Sequence, residues 1–104
     1  MHVITRTFKG KGAADLVALL SSRKSEVEKL MREVPGLVSY DFVQTGDGCF
    51  SVTACKDKAG TDRSLAIALD WLKANAGHLG LEKPAVAEGK SVIHLHADIA
   101  ATTH

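Results

Sequence analysis

Long apolar runs are absent from this chain. No stretch approaches the roughly 18 residues that a membrane-spanning helix needs, and Met1–Phe8 lacks the apolar core of a secretory leader. Cysteine is scarce, with only Cys49 and Cys55. On one extended strand, rising about 3.3 Å per residue, these two lie roughly 20 Å apart. That is far beyond the roughly 7 Å reach of a disulfide. Neither their number nor their spacing resembles a structural zinc site. Neither sign of charge dominates: 13 basic residues face 12 acidic ones, a net +1 with neutral histidines. No basic block interrupts that balance, so nucleic acid is excluded as a partner on electrostatic grounds. These absences predict a reduced, cytoplasmic protein with no membrane association.

What is present is an ordinary globular composition, 45% hydrophobic and 24% charged over 104 residues. That length suits a single domain over 1–104. A domain of this size buries only somewhat over 60% of its unfolded surface, which favours self-association. His2–Phe8, rich in β-branched residues, predicts a strand ended by Gly10-Lys11-Gly12. Leu16, Leu20, Val27, Leu30, Met31 and Val34 recur at helical steps, so Ala13–Glu33 reads as one amphipathic helix stopped at Pro35-Gly36. Leu37–Thr45 and Cys49–Lys56 alternate on either side of Gly46-Asp47-Gly48, a hairpin signal. Val38, Tyr40 and Phe42 are expected on one face of the first of these strands, and Phe50, Val52 and Ala54 on one face of the second. Their Ser, Thr, Asp and Cys residues are left for the other face, which meets water or a second copy. Asp57–Gly60 reads as a loop, Thr61 or Asp62 as an N-cap, and Leu65, Ala68, Leu69 and Leu72 as the stripe of a second helix ending near Gly77. Ser91–Ile99 reads as the last strand. The order β-α-β-β-α-β predicts an α+β, ferredoxin-like antiparallel sheet with both helices on one face.

On that topology, Val34-Pro35-Gly36-Leu37-Val38-Ser39-Tyr40 resembles the passage from first helix to second strand in the antibiotic-biosynthesis-monooxygenase-like proteins of the dimeric α+β barrel superfamily. The Thr45–Gly48 hairpin, and the Trp71–Asn75 helix running toward Pro84 and Glu88-Gly89, resemble the same group. The resemblance implies a homodimer whose sheets form a shared barrel, with a ligand pocket between sheet and helices in each subunit. Its members include cofactor-independent monooxygenases of aromatic polyketides or quinols, haem-degrading enzymes and proteins without known activity. Fold alone does not choose among these.

Trp71, Asn75 and His78 share one side of the second helix by their spacing. As a catalytic set, Trp71 walls an aromatic substrate, Asn75 donates to an oxyanion and His78 accepts a proton. Such a set needs no cofactor, because an ionised phenol or enol reduces O2 directly. The plainer reading makes Trp71 core, Asn75 a helix cap and His78 a surface residue. Arg6, Tyr40 and Phe42 are expected to point toward the helices as ligand-binding residues. A buried arginine there calls for an anion or carboxylate, whereas a surface-reaching one does not. His94 and His96 fall on one face of the expected last strand, near His2 on the first, but with no acidic partner; no metal is assigned to them. Haem degradation in the related enzymes uses an asparagine on the first strand, where this chain has Thr5, Arg6 and Thr7. Two functions stand: a cofactor-free oxygenase of a small aromatic, quinol or enolic compound, and a non-catalytic binding or structural protein of the same fold.

Overall fold

The computed structural model describes residues 1–97. Its elements are β1 (His2–Lys9), α1 (Ala13–Ser22), α2 (Lys24–Met31), β2 (Leu37–Gln44), β3 (Gly48–Cys55), α3 (Lys58–Asn75), a 3-10 turn (Gly77–Leu79) and β4 (Ala85–Lys90). The four strands form one sheet in the order β2-β3-β1-β4, with every neighbouring pair antiparallel. This is the ferredoxin-like α+β arrangement. The helices pack on one face, and the core lies beneath them in two clusters, one around Phe8, Leu16 and Cys49, the other around Met31, Val34 and Cys55.

The first helical stretch is two helices rather than one. The Ser22 hydroxyl donates to the Leu19 carbonyl at 2.8 Å, competing with the helical ladder as serine commonly does. The Arg23 N–H is then shared between the carbonyls of Leu19 and Leu20. Only Arg23 leaves helical geometry, so the apolar repeat runs across the break without losing phase.

On β2, Leu37 pairs with Cys55 and Ser39 with Ala54, leaving Val38 in a bulge. The bulge turns Val38 outward, 47% exposed, so it does not join Tyr40 and Phe42 on the helix side. On β3 the facing also differs from expectation. Cys49, Ser51, Thr53 and Cys55 are buried under the helices, and Phe50 and Val52 occupy the open face. Both thiols are therefore core groups rather than barrel-facing or dimer-facing ones, and burial pushes both up from the usual thiol range.

At the Cys55 end of that buried face α3 comes close. That helix starts at Lys58, with the Asp57 carboxylate accepting from the Gly60 N–H at 3.1 Å. The predicted cap, Thr61, instead sits fully buried in the first turn, its hydroxyl donating to the Lys58 carbonyl. A Cβ on Gly60 would stand 2.6 Å from the Pro35 carbonyl oxygen and 2.8 Å from Cys55 Cβ. Gly60, Thr61, Ser64 and Ala68 are the buried side of α3, so small residues meet small residues across the interface. Leu69, placed on the apolar stripe by spacing, is 43% exposed.

The last strand lies earlier than its residue types predict. Ala85–Lys90 pairs with β1, whereas Ser91–Ala97 has no regular structure and Asp98 and Ile99 lie outside the described residues. His94 and His96 are therefore exposed and off the sheet, and His2 bonds Glu88 instead at 2.8 Å. Among the described residues no three His, Cys, Asp or Glu side chains gather as a metal site.

Two outcomes follow from this packing. Alanine favours a helix over glycine by about 1 kcal/mol, but overpacking costs about 1–3 kcal/mol. With contacts under 3 Å to backbone and Cβ, the steric effect prevails. Gly60→Ala is expected to destabilise the fold by about 1 kcal/mol or more in urea denaturation. Gly77→Ala, whose Cβ meets nothing within 4 Å, serves as the tolerated control. At the sheet edge, His2 and then Lys58 hold the Glu88 carboxyl below the usual carboxylate range. The folded state thus binds fewer protons there than the unfolded chain. Its stabilisation is present above the unfolded value of about 4.3 and is lost as pH falls through the lower folded one. Thermal melts between about pH 6 and pH 3 should show a slightly shallower acid loss in Glu88→Gln, small because the site is exposed.

Candidate functional site

Alternation on β1 directs Ile4, Arg6 and Phe8 beneath the helices, where all three are buried. Arg6 pairs in register with Ser51, which pairs in turn with Phe42, and Tyr40 lies one step along opposite Thr53. The short Ser51 side chain leaves room above the sheet, and a cavity occupies that room. Its floor is Arg6, Phe42, Tyr40 and Ser51; its walls include Leu16 and Leu20 of α1, Val27 and Leu30 of α2, and Trp71 of α3. The inner chamber measures about 30 Å³, space for a few waters at most. Leu20, Val27, Tyr40 and Phe42 also line an outer chamber of about 280 Å³ bordered by Ser21, Lys24 and Asp41. The two share these four residues as walls, the outer one lying beside the α1–α2 break and the inner one beside Arg6.

Arg6 is 8% exposed, and its Nη1 is buried with no hydrogen-bond partner among the described residues. Its guanidinium carbon stands 5.9 Å from the centre of the Phe8 ring, a cation–π distance. Burial works against the Arg6 charge, while the nearby Tyr40 hydroxyl works for it. Guanidinium remains protonated at neutral pH regardless. Burial raises the Tyr40 hydroxyl above its usual range, with the Arg6 charge pulling the other way. Tyr40 is thus a neutral O–H at pH 7. The chamber is apolar and aromatic with one fixed positive charge and two hydroxyls, a set suited to holding a flat compound and stabilising negative charge on it.

Trp71, Asn75 and His78 do not converge. The Trp71 ring reaches the cavity wall, and its indole N–H donates to Glu26 at 2.8 Å. Asn75 lies outside that lining and is engaged at both ends. Its Oδ1 accepts from Arg23 Nη1 at 2.6 Å, and its Nδ2 donates to the Trp71 carbonyl at 2.9 Å. Arg23 also lies 5.9 Å from the centre of the indole ring. His78 sits exposed on the 3-10 turn. Helical spacing correctly places Trp71 and Asn75 side by side, but the helix ends at Asn75, so His78 leaves their face. Sequence reasoning missed Arg23, Glu26 and Ser51. The signal for Ser51 is the run of small residues at every second β3 position, matched by small residues on α3.

The Arg23–Asn75 bond ties the α1–α2 break to α3 beside the cavity mouth. Asn75→Ala is expected to cost about 1 kcal/mol of stability and to shift the emission of Trp71, the only tryptophan, to the red as its ring gains water. Unchanged emission and stability would show that the bond fixes neither helix.

No family model matches the chain, and no curated protein matches it. Solved structures do. A protein of unknown function from Nitrosomonas europaea superposes with a TM-score of 0.71 at 23% identity, over 92% of this chain and 93% of that one. A monooxygenase from the gene ActVA-Orf6 of Streptomyces coelicolor, solved with nanaomycin D, superposes at 0.68 and 17% identity, over 93% and 92%. SnoaB, a cofactor-independent oxygenase from Streptomyces nogalater, superposes at 0.58 and 14% identity, over 90% and 94%. Identities this low speak for architecture and not for chemistry. The resemblance carried by Val34–Tyr40 and the hairpin is thus a resemblance of architecture: this chain has the ferredoxin-like α+β fold that these solved structures share.

Proposed function

We propose that this chain is a small homodimeric monooxygenase-like protein that oxidises a small aromatic, quinol or enolic compound without a cofactor. The observation that carries this reading is the cavity itself. It lies between sheet and helices, lined by Trp71 and Phe42, and is polar only at Arg6, Tyr40 and Ser51. The likeness in fold to a monooxygenase solved with nanaomycin D and to a cofactor-independent oxygenase supports it. For an enolisable methylene the balance closes without a cofactor. The carbon supplies four electrons to O2, one oxygen atom becomes its carbonyl and the other leaves as water. The protein's part is to hold the ring against Trp71, exclude bulk water and stabilise the anion that meets O2. Asn75 acts in this scheme through Arg23 and Trp71, as a positioning residue, and His78 has no part in it.

The second reading, a binding protein without turnover, rests on one specific observation: among the described residues no His, Asp or Glu lines the inner chamber, so none of its lining side chains is an evident proton acceptor. Oxygen uptake on a panel of anthrones and naphthoquinols separates the two. Turnover above the spontaneous rate, insensitive to chelators and lowered severalfold in Trp71→Phe, is the expected result. Binding of the same compounds with no rate above background makes it a binding protein.

The open sheet face supports the homodimer. Phe50 and Val52 lie on it, with Val43 opposite Phe50 and Thr5, Thr7 and Asp41 as their other partners in register, a mixed surface that no helix of the described residues covers. Native mass spectrometry is expected to give twice the 11.0 kDa chain mass, and Val52→Asp to give monomer. A stable wild-type monomer would remove the barrel from this reading. The two unpaired, buried thiols fit a reducing, cytoplasmic setting.

A further inference from the structure

Among the described residues Arg6 is a charge without a counter-charge. Its neighbours in register are Ser51 on β3 and Val86 on β4, and its same-face neighbours along β1 are Ile4 and Phe8. None of these is acidic. The carboxylates that do form ion pairs among the described residues pair with His2, Lys9, Arg23 and Lys58. Nη1 of Arg6 is the one buried side-chain polar atom left without a partner among the described residues. Buried guanidinium groups are ordinarily held by carboxylates in bidentate or multiple hydrogen bonds. Cation–π contact with Phe8 satisfies the ring face of the charge but accepts no hydrogen bond. The group borders a cavity that is not sealed from solvent and shares walls with the outer chamber, so what would complete it can enter from outside.

We propose that Arg6 anchors an anionic oxygen of the ligand, making the cavity selective for flat aromatic compounds that carry a carboxylate or an ionised enol or phenol. This deepens the reading of the cavity as a ligand site and rests on it. Arg6 supplies the charge at the floor, Tyr40 a neutral hydroxyl beside it, and Trp71 and Phe42 the apolar surfaces for the ring. The ligand's ring lies toward the outer chamber, because the inner one has room for little more than the anionic group. A ligand that ionises in place also gains from Arg6, since a nearby cation lowers an acid's pKa. Its proton then leaves through the mouth, without a base among the lining side chains.

The test uses Trp71 as reporter, because the only tryptophan of the chain lines the cavity. Quenching is titrated with 2-naphthoate and with 2-naphthylmethanol, a neutral compound of similar shape. In parallel, 4-nitrophenol, whose yellow anion reports its own ionisation, is titrated with pH in the presence of the protein. A wild-type preference of about tenfold or more for naphthoate over the alcohol, lost in Arg6→Gln, assigns a carboxylate. A bound nitrophenol ionising about one pH unit lower, with no naphthoate preference, assigns an enolate or phenolate. Equal binding of naphthoate and alcohol, with unshifted nitrophenol, overturns the role of Arg6 and leaves the ligand cavity standing. Absence of quenching by every probe overturns the cavity reading together with the anchor. Both wild-type comparisons decide the matter even where Arg6→Gln folds poorly.

Discussion

The distance between α3 and β3 sets most of what this molecule has to offer. Gly60 brings the start of the helix onto Cys55 so closely that a methyl group does not fit. From there, Ser64 and Ala68 continue the small surface along the strand. Farther along the same helix, Trp71 and Leu72 are large, and the space they meet is the one left by Ser51. A tight end and a wide end of one helix–sheet interface thus convert a run of small β3 side chains into a chamber. Close packing makes this possible, since interiors filled to crystal-like density leave space only where side-chain volumes are deliberately mismatched.

Into that chamber the sheet projects a single fixed charge. The low-dielectric surroundings that make Arg6 expensive to bury also make it effective toward any anion placed beside it. Above the chamber, polar bonds at the rim join the helices to one another. Arg23 joins Asn75 and lies over Trp71, and Glu26 takes the indole N–H. Those contacts sit where α1 becomes α2, so the same residue that interrupts the helix also fixes the wall of the cavity mouth.

Much of this was legible in the residues. β1, the Gly46–Gly48 hairpin and both helical regions follow from local pattern, and the topology follows from their order. What escaped was decided by contacts between distant parts of the chain. Ala85–Lys90 has weak strand character, yet it pairs with β1, while the better-looking Val92–His96 alternation stays off the sheet. Pairing here overrides propensity. Hydrophobicity points Phe50 and Val52 inward, but they take the open face, and the cysteines and hydroxyls go in instead, beneath the small residues Gly60, Ser64 and Ala68 of α3. Arg6, Tyr40 and Phe42 were placed correctly because strand alternation is strict where no bulge intervenes. Val38 was not, because a bulge is a pairing event with no local signature. His78 was lost from the Trp71 face for a similar reason: spacing fixes direction only as far as the helix continues.

The two unlike faces of β3 have a consequence for how the chain finds its register. Sliding a strand by one residue exchanges its faces. For most half-buried strands that error exposes apolar groups, and hydrophobicity alone corrects it. Here a slipped β3 would turn Phe50 and Val52 toward α3, which hydrophobicity would welcome. A slip in either direction sets Phe50 or Val52 where Ser51 stands, and its side chain fills the room above the sheet. The register that leaves the larger apolar groups outside is thus the one that keeps the chamber open. Hydrophobic burial and a vacant site make opposite demands on this strand, and its pairing answers the second.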